Sequence, residues 1–173
     1  MNGNLPELLP VLPELFLAIG AMALLMVGVF QGNKSYKQVA NLSVFLLVVA
    51  AILMFTQVGG ERQTTFNGMF VTDAFAVFMK TLTYIGSAVA ILISGKFLHE
   101  HKIARFEFPI LILFATLGML IMISANNLMS LYVGLELQSL SLYVLAAMNR
   151  DRLRSTEAGL KYFVLGALSS GML

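Results

Sequence analysis

Three ionisable side chains, Glu136, Lys161 and Lys80, lie in stretches of sequence otherwise apolar enough to cross a bilayer. A charge near the membrane midplane costs several kcal/mol, roughly 2.5 to 3.5 on insertion scales, so such groups face protein or water rather than lipid. Carboxylates and amines held there mark proton and ion pathways. Glu136 stands near the middle of "MSLYVGLELQSLSLYVLAAMN", and Tyr132, Ser139 and Tyr143 share one narrow face of a helix with it. Hydroxyls above and below a carboxylate can stabilise its charged form or, with water, carry a proton along a chain. The same residues admit a second reading, in which a protonated glutamic acid only ties helices together. Gln138 and Ser141 fall elsewhere on the helix and read as packing contacts.

The two lysines also have two readings each. Lys80 belongs to a weaker stripe with Asp73, Tyr84 and Ser87, and lies about 10 Å along its helix from the nearer end. It can snorkel toward Asp73 and water, or it can take part in proton transfer. Lys161 follows Glu157 in the favourable i, i+4 order for an ion pair, in a helix that Ser155 is placed to cap. Against simple pairing, Lys161 is the first residue to reach the apolar part of that helix, and Gly159, Gly166 and Ser170 line an adjoining face. Close helix approach over those small residues would bury the ammonium and ease loss of its proton.

Apolar helices must hold these groups, and the composition supplies them. The chain is 58% hydrophobic and 12% charged, with a mean hydropathy of +0.85, which is the balance of an integral membrane protein. Hydrocarbon about 30 Å thick needs roughly 20 helical residues per crossing. Six apolar segments fit, at about 12 to 31, 39 to 58, 74 to 97, 108 to 124, 128 to 148 and 156 to 173. They predict an all-α membrane protein with six transmembrane helices in a single membrane domain. The sixth segment ends within apolar sequence, and the chain reads as the first part of a longer one.

Orientation follows from where the basic residues lie. Lys34, Lys37, Lys96, Lys102, Arg105, Arg150, Arg152 and Arg154 occupy alternate loops, whereas the intervening loops hold Arg62 alone. Basic loops are retained in the cytoplasm, so the N-terminus is expected outside. "NRDRLR", at 149 to 154, reads as a topology anchor, with anionic lipid or another anionic partner as the alternative.

Several chemistries are disfavoured by the same residues. The absence of cysteine excludes thiolate zinc and iron–sulfur ligation and disulfides. His99 and His101 flank Glu100 in a polar loop that supplies no assembled metal-ligand set, and no metal site is expected. Neither glycine-rich nucleotide-binding pattern occurs, and a net charge of +2 does not suggest a nucleic-acid surface. The start of the chain has Glu7 and Glu14 where a signal peptide would be basic, so it does not read as a cleaved one.

The run "LYVGLELQSLSLYVLAAMNRDRLRSTEAGLKYFVLGALSSGML" resembles the subunit N family of bacterial proton-pumping NADH:quinone oxidoreductase, respiratory complex I. "LPELFLAIGAMALL" and "DAFAVFMK" extend the similarity to the rest of the chain. The resemblance implies an antiporter-like helical bundle of inverted repeats, each with a broken helix, in a subunit more than twice this long. It places Glu136 at the family's glutamate of the fifth helix and Lys161 at a lysine near the start of the sixth. The usual partner of that glutamate, a lysine on the seventh helix, would lie past residue 173.

The implied activity is proton translocation in the bacterial inner membrane, with the N-terminus periplasmic. Its partners would be the other membrane subunits of complex I and membrane lipid. NADH, FMN, iron–sulfur clusters and quinone would belong to partner subunits, with no cofactor in this chain. Two alternatives stand beside this expectation: a subunit of a multi-subunit cation/proton antiporter, and a structural membrane subunit that conducts nothing.

Overall fold

Residues 8–56, 63–101 and 103–172 are described by the computed structural model. A short 3-10 turn, Leu9–Val11, leads into α1, Leu12–Gln31. A second 3-10 turn, Gly32–Ser35, connects it to α2, Tyr36–Thr56. A two-stranded antiparallel hairpin, β1 at Gln63–Thr65 and β2 at Phe70–Thr72, precedes α3, Ala74–Glu100. Then come α4, Glu107–Ser124, α5, Leu128–Ala146, and α6, Leu153–Met172. Arg62 and Lys102 lie outside the described residues, as do Glu7 and the side chain of Lys34.

Local chemistry sets these bounds. Pro13 stands in the first turn of α1, where the missing amide hydrogen costs nothing. Gly32, at φ 67°, lets the chain leave the helix through a region that L side chains seldom adopt. The side chain of Asp73 accepts from Ala76 N at 2.7 Å and starts α3; that of Asn127 accepts from Ser130 N at 2.8 Å and starts α5.

α2 and α6 each begin three residues before the sequence reading placed them, and α3 runs three residues further. Ser155 therefore lies inside α6, where its hydroxyl donates to the Ala146 carbonyl at 2.8 Å instead of capping the helix. Among the described residues, five helices, α1 to α5, are long and apolar enough to cross a membrane. The first turns of α6 carry Arg154, Glu157 and Lys161, and its apolar run starts at Tyr162.

The bundle is arranged around α4, whose buried residues fall on all sides of the helix. Leu113 and Leu120 of α4 are fully buried in one core with Leu17 of α1, Val39 and Leu47 of α2, and Ile91 of α3. Surrounding lipid is as apolar as leucine, so close packing and interhelical hydrogen bonds hold such helices together more than water exclusion does. Small residues make the α4–α5 seam tight. A Cβ on Gly118 would lie 2.6 Å from the Gly134 carbonyl oxygen, so the two backbones touch there.

The hairpin was not foreseen. Its turn takes Phe66, Asn67 and Gly68 through positive φ, and "FNG" between β-formers was the signal available. Asn126, in the α4–α5 connection, holds it down: its side chain donates to Gly68 O at 2.7 Å and its backbone N–H to Met69 O at 3.0 Å. The starts of α1, α3 and α5 thus share one end of the bundle with the hairpin. The basic loops gather at the other end, where Arg152 and Arg154 line one cavity with Phe97 and His101.

Candidate functional site

Two groups of charged side chains emerge, on opposite flanks of α4. The first is on α5 and α6. Glu136 is eight residues into α5, roughly 12 Å along a helix of 19 residues and so close to its middle. The Ser170 hydroxyl, from α6, donates to Glu136 Oε1. α6 reaches the carboxylate because small residues let it lie flat on α5. A Cβ on Gly159 would overlap Ala147, and one on Gly166 would overlap the Tyr143 ring and hydroxyl.

Tyr143 is buried in this seam, edge-on to Tyr162 at 4.7 Å and to Phe163 at 5.8 Å between ring centroids. Ser139 is half-buried and Tyr132 is 40% exposed, beside a groove of about 580 Å³ that Ser170 also lines. Among the described residues, Ser170 and none of the three stripe hydroxyls bonds to Glu136. Ser141 does act locally, donating to the Leu137 carbonyl at 2.8 Å.

Lys161 is placed differently from the burial that its small neighbours suggested. Gly159, Gly166 and Ser170 face α5, and this turns Lys161 away from the seam. Its ammonium donates to Glu157 Oε1 at 2.6 Å, with side chains 68% and 53% exposed. Ser170, at the carboxylate, is nine residues further along α6, roughly 13 Å by helix rise, so Glu136 and Lys161 are not brought together.

The second group joins α1 to α3. Lys80 Nζ lies 2.5 Å from Glu14 Oε1, with side chains 1% and 4% exposed. Snorkelling toward Asp73 does not occur, because Asp73 is engaged in capping α3 and Glu14 offers a full charge inside the bundle. The Phe70 ring, from β2, stands over the ammonium at 4.8 Å to its centroid. Tyr84 and Ser87 follow on the same buried face of α3, and Ser87 accepts from Thr116 Oγ1 of α4 at 2.6 Å. The role of Glu14 was missed in the sequence. Glu14 and Lys80 are 66 residues apart, and the available signal was an acid in the first turn of one apolar helix with an unmatched lysine in another.

Comparison with known proteins places the α5–α6 group in a family. Residues 125–173, which contain Glu136 and Lys161, match the family described as "NADH:quinone oxidoreductase/Mrp antiporter, TM". NADH-quinone oxidoreductase subunit N of Paramagnetospirillum magneticum is 58% identical over 167 residues, covering 96% of this chain and 34% of the relative. Subunit N of Azorhizobium caulinodans is 51% identical over 173 residues, covering 100% and 36%. Among solved structures, a chain of respiratory complex I from Thermus thermophilus with bound aureothin superposes with a TM-score of 0.74 at 28% identity, covering 92% of this chain and 34% of that one. This chain spans about a third of the length of the curated relatives it matches. The apolar helices and these homologues describe a bacterial membrane protein, and over the length given the chain belongs to the NADH-quinone oxidoreductase subunit N family.

Proposed function

We propose that the chain is part of a proton-translocating membrane subunit of bacterial NADH:quinone oxidoreductase, and that Glu136 is its principal intramembrane charge. The observation that supports this most is a carboxylate at mid-helix in α5, held by Ser170 of α6, within the segment that matches the antiporter family. Electron transfer from NADH to quinone takes place in partner subunits that carry FMN and iron–sulfur clusters; these 173 residues contain no cysteine to ligate a cluster. The energy released there reaches this subunit as altered charge pairing. In a low-dielectric interior, moving or neutralising a partner changes the proton affinity of a buried group by orders of magnitude.

Lys161 and Lys80 are the further candidates for the route, with Tyr132, Ser139 and Tyr143 as supporting hydroxyls. The membrane domain sits in the bacterial inner membrane among lipid and the other membrane subunits of complex I. Its basic end is cytoplasmic and its N-terminus and hairpin are periplasmic. Single cysteines at Lys34, Arg62 and Arg152 test this: a membrane-impermeant reagent applied outside should label position 62 alone. Labelling at 34 or 152 would reverse the sidedness.

In the complete subunit, Glu136→Gln should strongly reduce the protons moved per quinone reduced in vesicles while the complex still assembles. Glu136→Asp, which keeps the charge, should retain more. Normal pumping by an assembled Glu136→Gln complex would overturn the role. The family description also names the Mrp antiporter, so a cation/proton antiporter subunit is the second reading. Co-purification with ion-transport subunits in place of redox subunits would favour it.

A further inference from the structure

The hydrogen-bond inventory around Glu14 and Lys80 is incomplete in an informative way. An ammonium has three donors and a carboxylate two acceptor oxygens, yet one bond joins them. Glu14 Oε2 is buried and bonds to nothing among the described residues, and the same holds for the hydroxyl of Tyr84, which follows Lys80 by one turn on the buried face of α3. A buried ion pair kept only to fasten two helices is expected to have its remaining valences filled, because each unsatisfied polar atom in a dry interior is destabilising. Here a paired acid and amine, with a phenol one turn further along α3, keep valences to spare, and all three side chains are nearly inaccessible to solvent.

Position adds a direction. Glu14 stands in the first turn of α1, and Lys80 roughly 9 Å along α3 from its start, so both belong to the hairpin half of the bundle. Phe70 covers the ammonium, and the hairpin that carries it is bonded through Asn126 to the α4–α5 connection. Tyr84 lies one turn further into the bundle than Lys80, on the same buried face. Glu14 therefore starts nearer the end of the helices, and Tyr84 is carried on a deeper turn of α3.

We infer that Glu14 and Lys80 form a second proton-exchanging site, distinct from Glu136, which passes protons between the hairpin end and the Tyr84 side of α3. The inference rests on the proton-translocation reading and adds a site to it. The steps balance. A proton from water at the hairpin end adds to Glu14 Oε2, giving a carboxylic acid beside an ammonium. Lys80 Nζ then releases a proton toward water on the Tyr84 side, leaving acid and amine. Transfer from the acid to Nζ restores the ion pair, so one proton has entered at the carboxylate and one has left at the amine. Each step is reversible, and the site ends with the charge with which it began.

The test is the double variant Glu14→Gln with Lys80→Met in the full-length subunit of the assembled complex. It removes both charges and so leaves no unpaired ion to unfold the bundle. A proton-exchanging site predicts normal amounts of complex, quinone reduction retained, and a several-fold fall in protons moved per quinone. A second readout is infrared difference spectroscopy during quinone reduction: a deuterium-sensitive carboxyl band should be present in the wild type and absent in the double variant, which lacks the Glu14 carboxyl. Wild-type pumping by the double variant, its failure to assemble, or a spectrum that the double variant leaves unchanged would each overturn the inference. Wild-type vesicles that move no protons would instead fail the functional reading itself, which separates the two outcomes.

Discussion

The α1–α3 pair and the α5–α6 group are built on opposite principles. Lys80 and Glu14 are sealed between helices, with an aromatic ring above the ammonium. Glu136 is half-buried and held by one hydroxyl, and Lys161 stands 68% exposed beside Glu157. A fully buried ammonium demands a counter-charge, because an uncompensated ion in low dielectric costs several kcal/mol. A half-buried carboxylate can instead be satisfied by a single neutral donor, with water free to reach its other oxygen. Depth of burial, more than the number of polar neighbours on one helix, decides which site must carry its own counter-charge.

The largest expected effect breaks the sealed pair. Lys80→Met leaves the Glu14 carboxylate buried alone, and Glu14→Gln does the same to the ammonium; each single change should destabilise the subunit by about 3–5 kcal/mol. The double variant should lose less than either single one, since no lone charge remains. Thermal unfolding of the purified complex, with the yield of assembled subunit, measures this. By contrast, Glu136→Gln should leave the same unfolding midpoint nearly unchanged. If Glu136→Gln proved as damaging as Lys80→Met, the distinction between a sealed and an open site would fail.

An intermediate effect sharpens the comparison by moving the open site without touching its charge. A Cβ on Gly134 would lie 2.9 Å from Gly118 O and 3.0 Å from Met122 N, both backbone atoms that cannot rotate away. Gly134→Ala should therefore push α5 off α4 at a cost of about 1–3 kcal/mol, displacing Glu136 two residues on. Reduced proton transfer with Glu136 intact is the expected outcome. A substitution at Gly86, where a Cβ would meet nothing within 4 Å, is the control.

The parts of this arrangement that were legible in the sequence are those that depend on local pattern. Six helices and the family follow from hydropathy and from the run around Glu136. The small-residue face of α6 was also readable, but not what it would do to Lys161: packing Gly159 and Gly166 on α5 turns the lysine outward. What sequence alone could not show was pairing between distant segments. Glu14 looked like part of an acidic N-terminus until α1 was laid against α3, and the stripe of Lys80, Tyr84 and Ser87 looked weaker than that of Glu136 although it proves the more deeply buried. The hairpin was hidden because three-residue strands give too short an alternation to stand out beside 20-residue apolar runs.

The smallest effect on stability belongs to Glu157 and Lys161, and it separates an anchor from a proton carrier. An exposed i, i+4 pair is worth about 0.3–0.5 kcal/mol, so Glu157→Gln should scarcely change unfolding or assembly. If Lys161 is only an anchor, Lys161→Met should be comparably mild in every assay. If it belongs to the proton route, Lys161→Met should impair pumping with assembly intact while Glu157→Gln pumps nearly normally. Lys161→Arg then decides between them: guanidinium preserves charge and topology but does not readily release a proton, so it should rescue poorly. Full pumping by Lys161→Arg in vesicles would return this lysine to the anchor reading. The open site would then rest on Glu136 alone, a carboxylate with one hydroxyl partner, in contrast to the two-charge site beneath the hairpin.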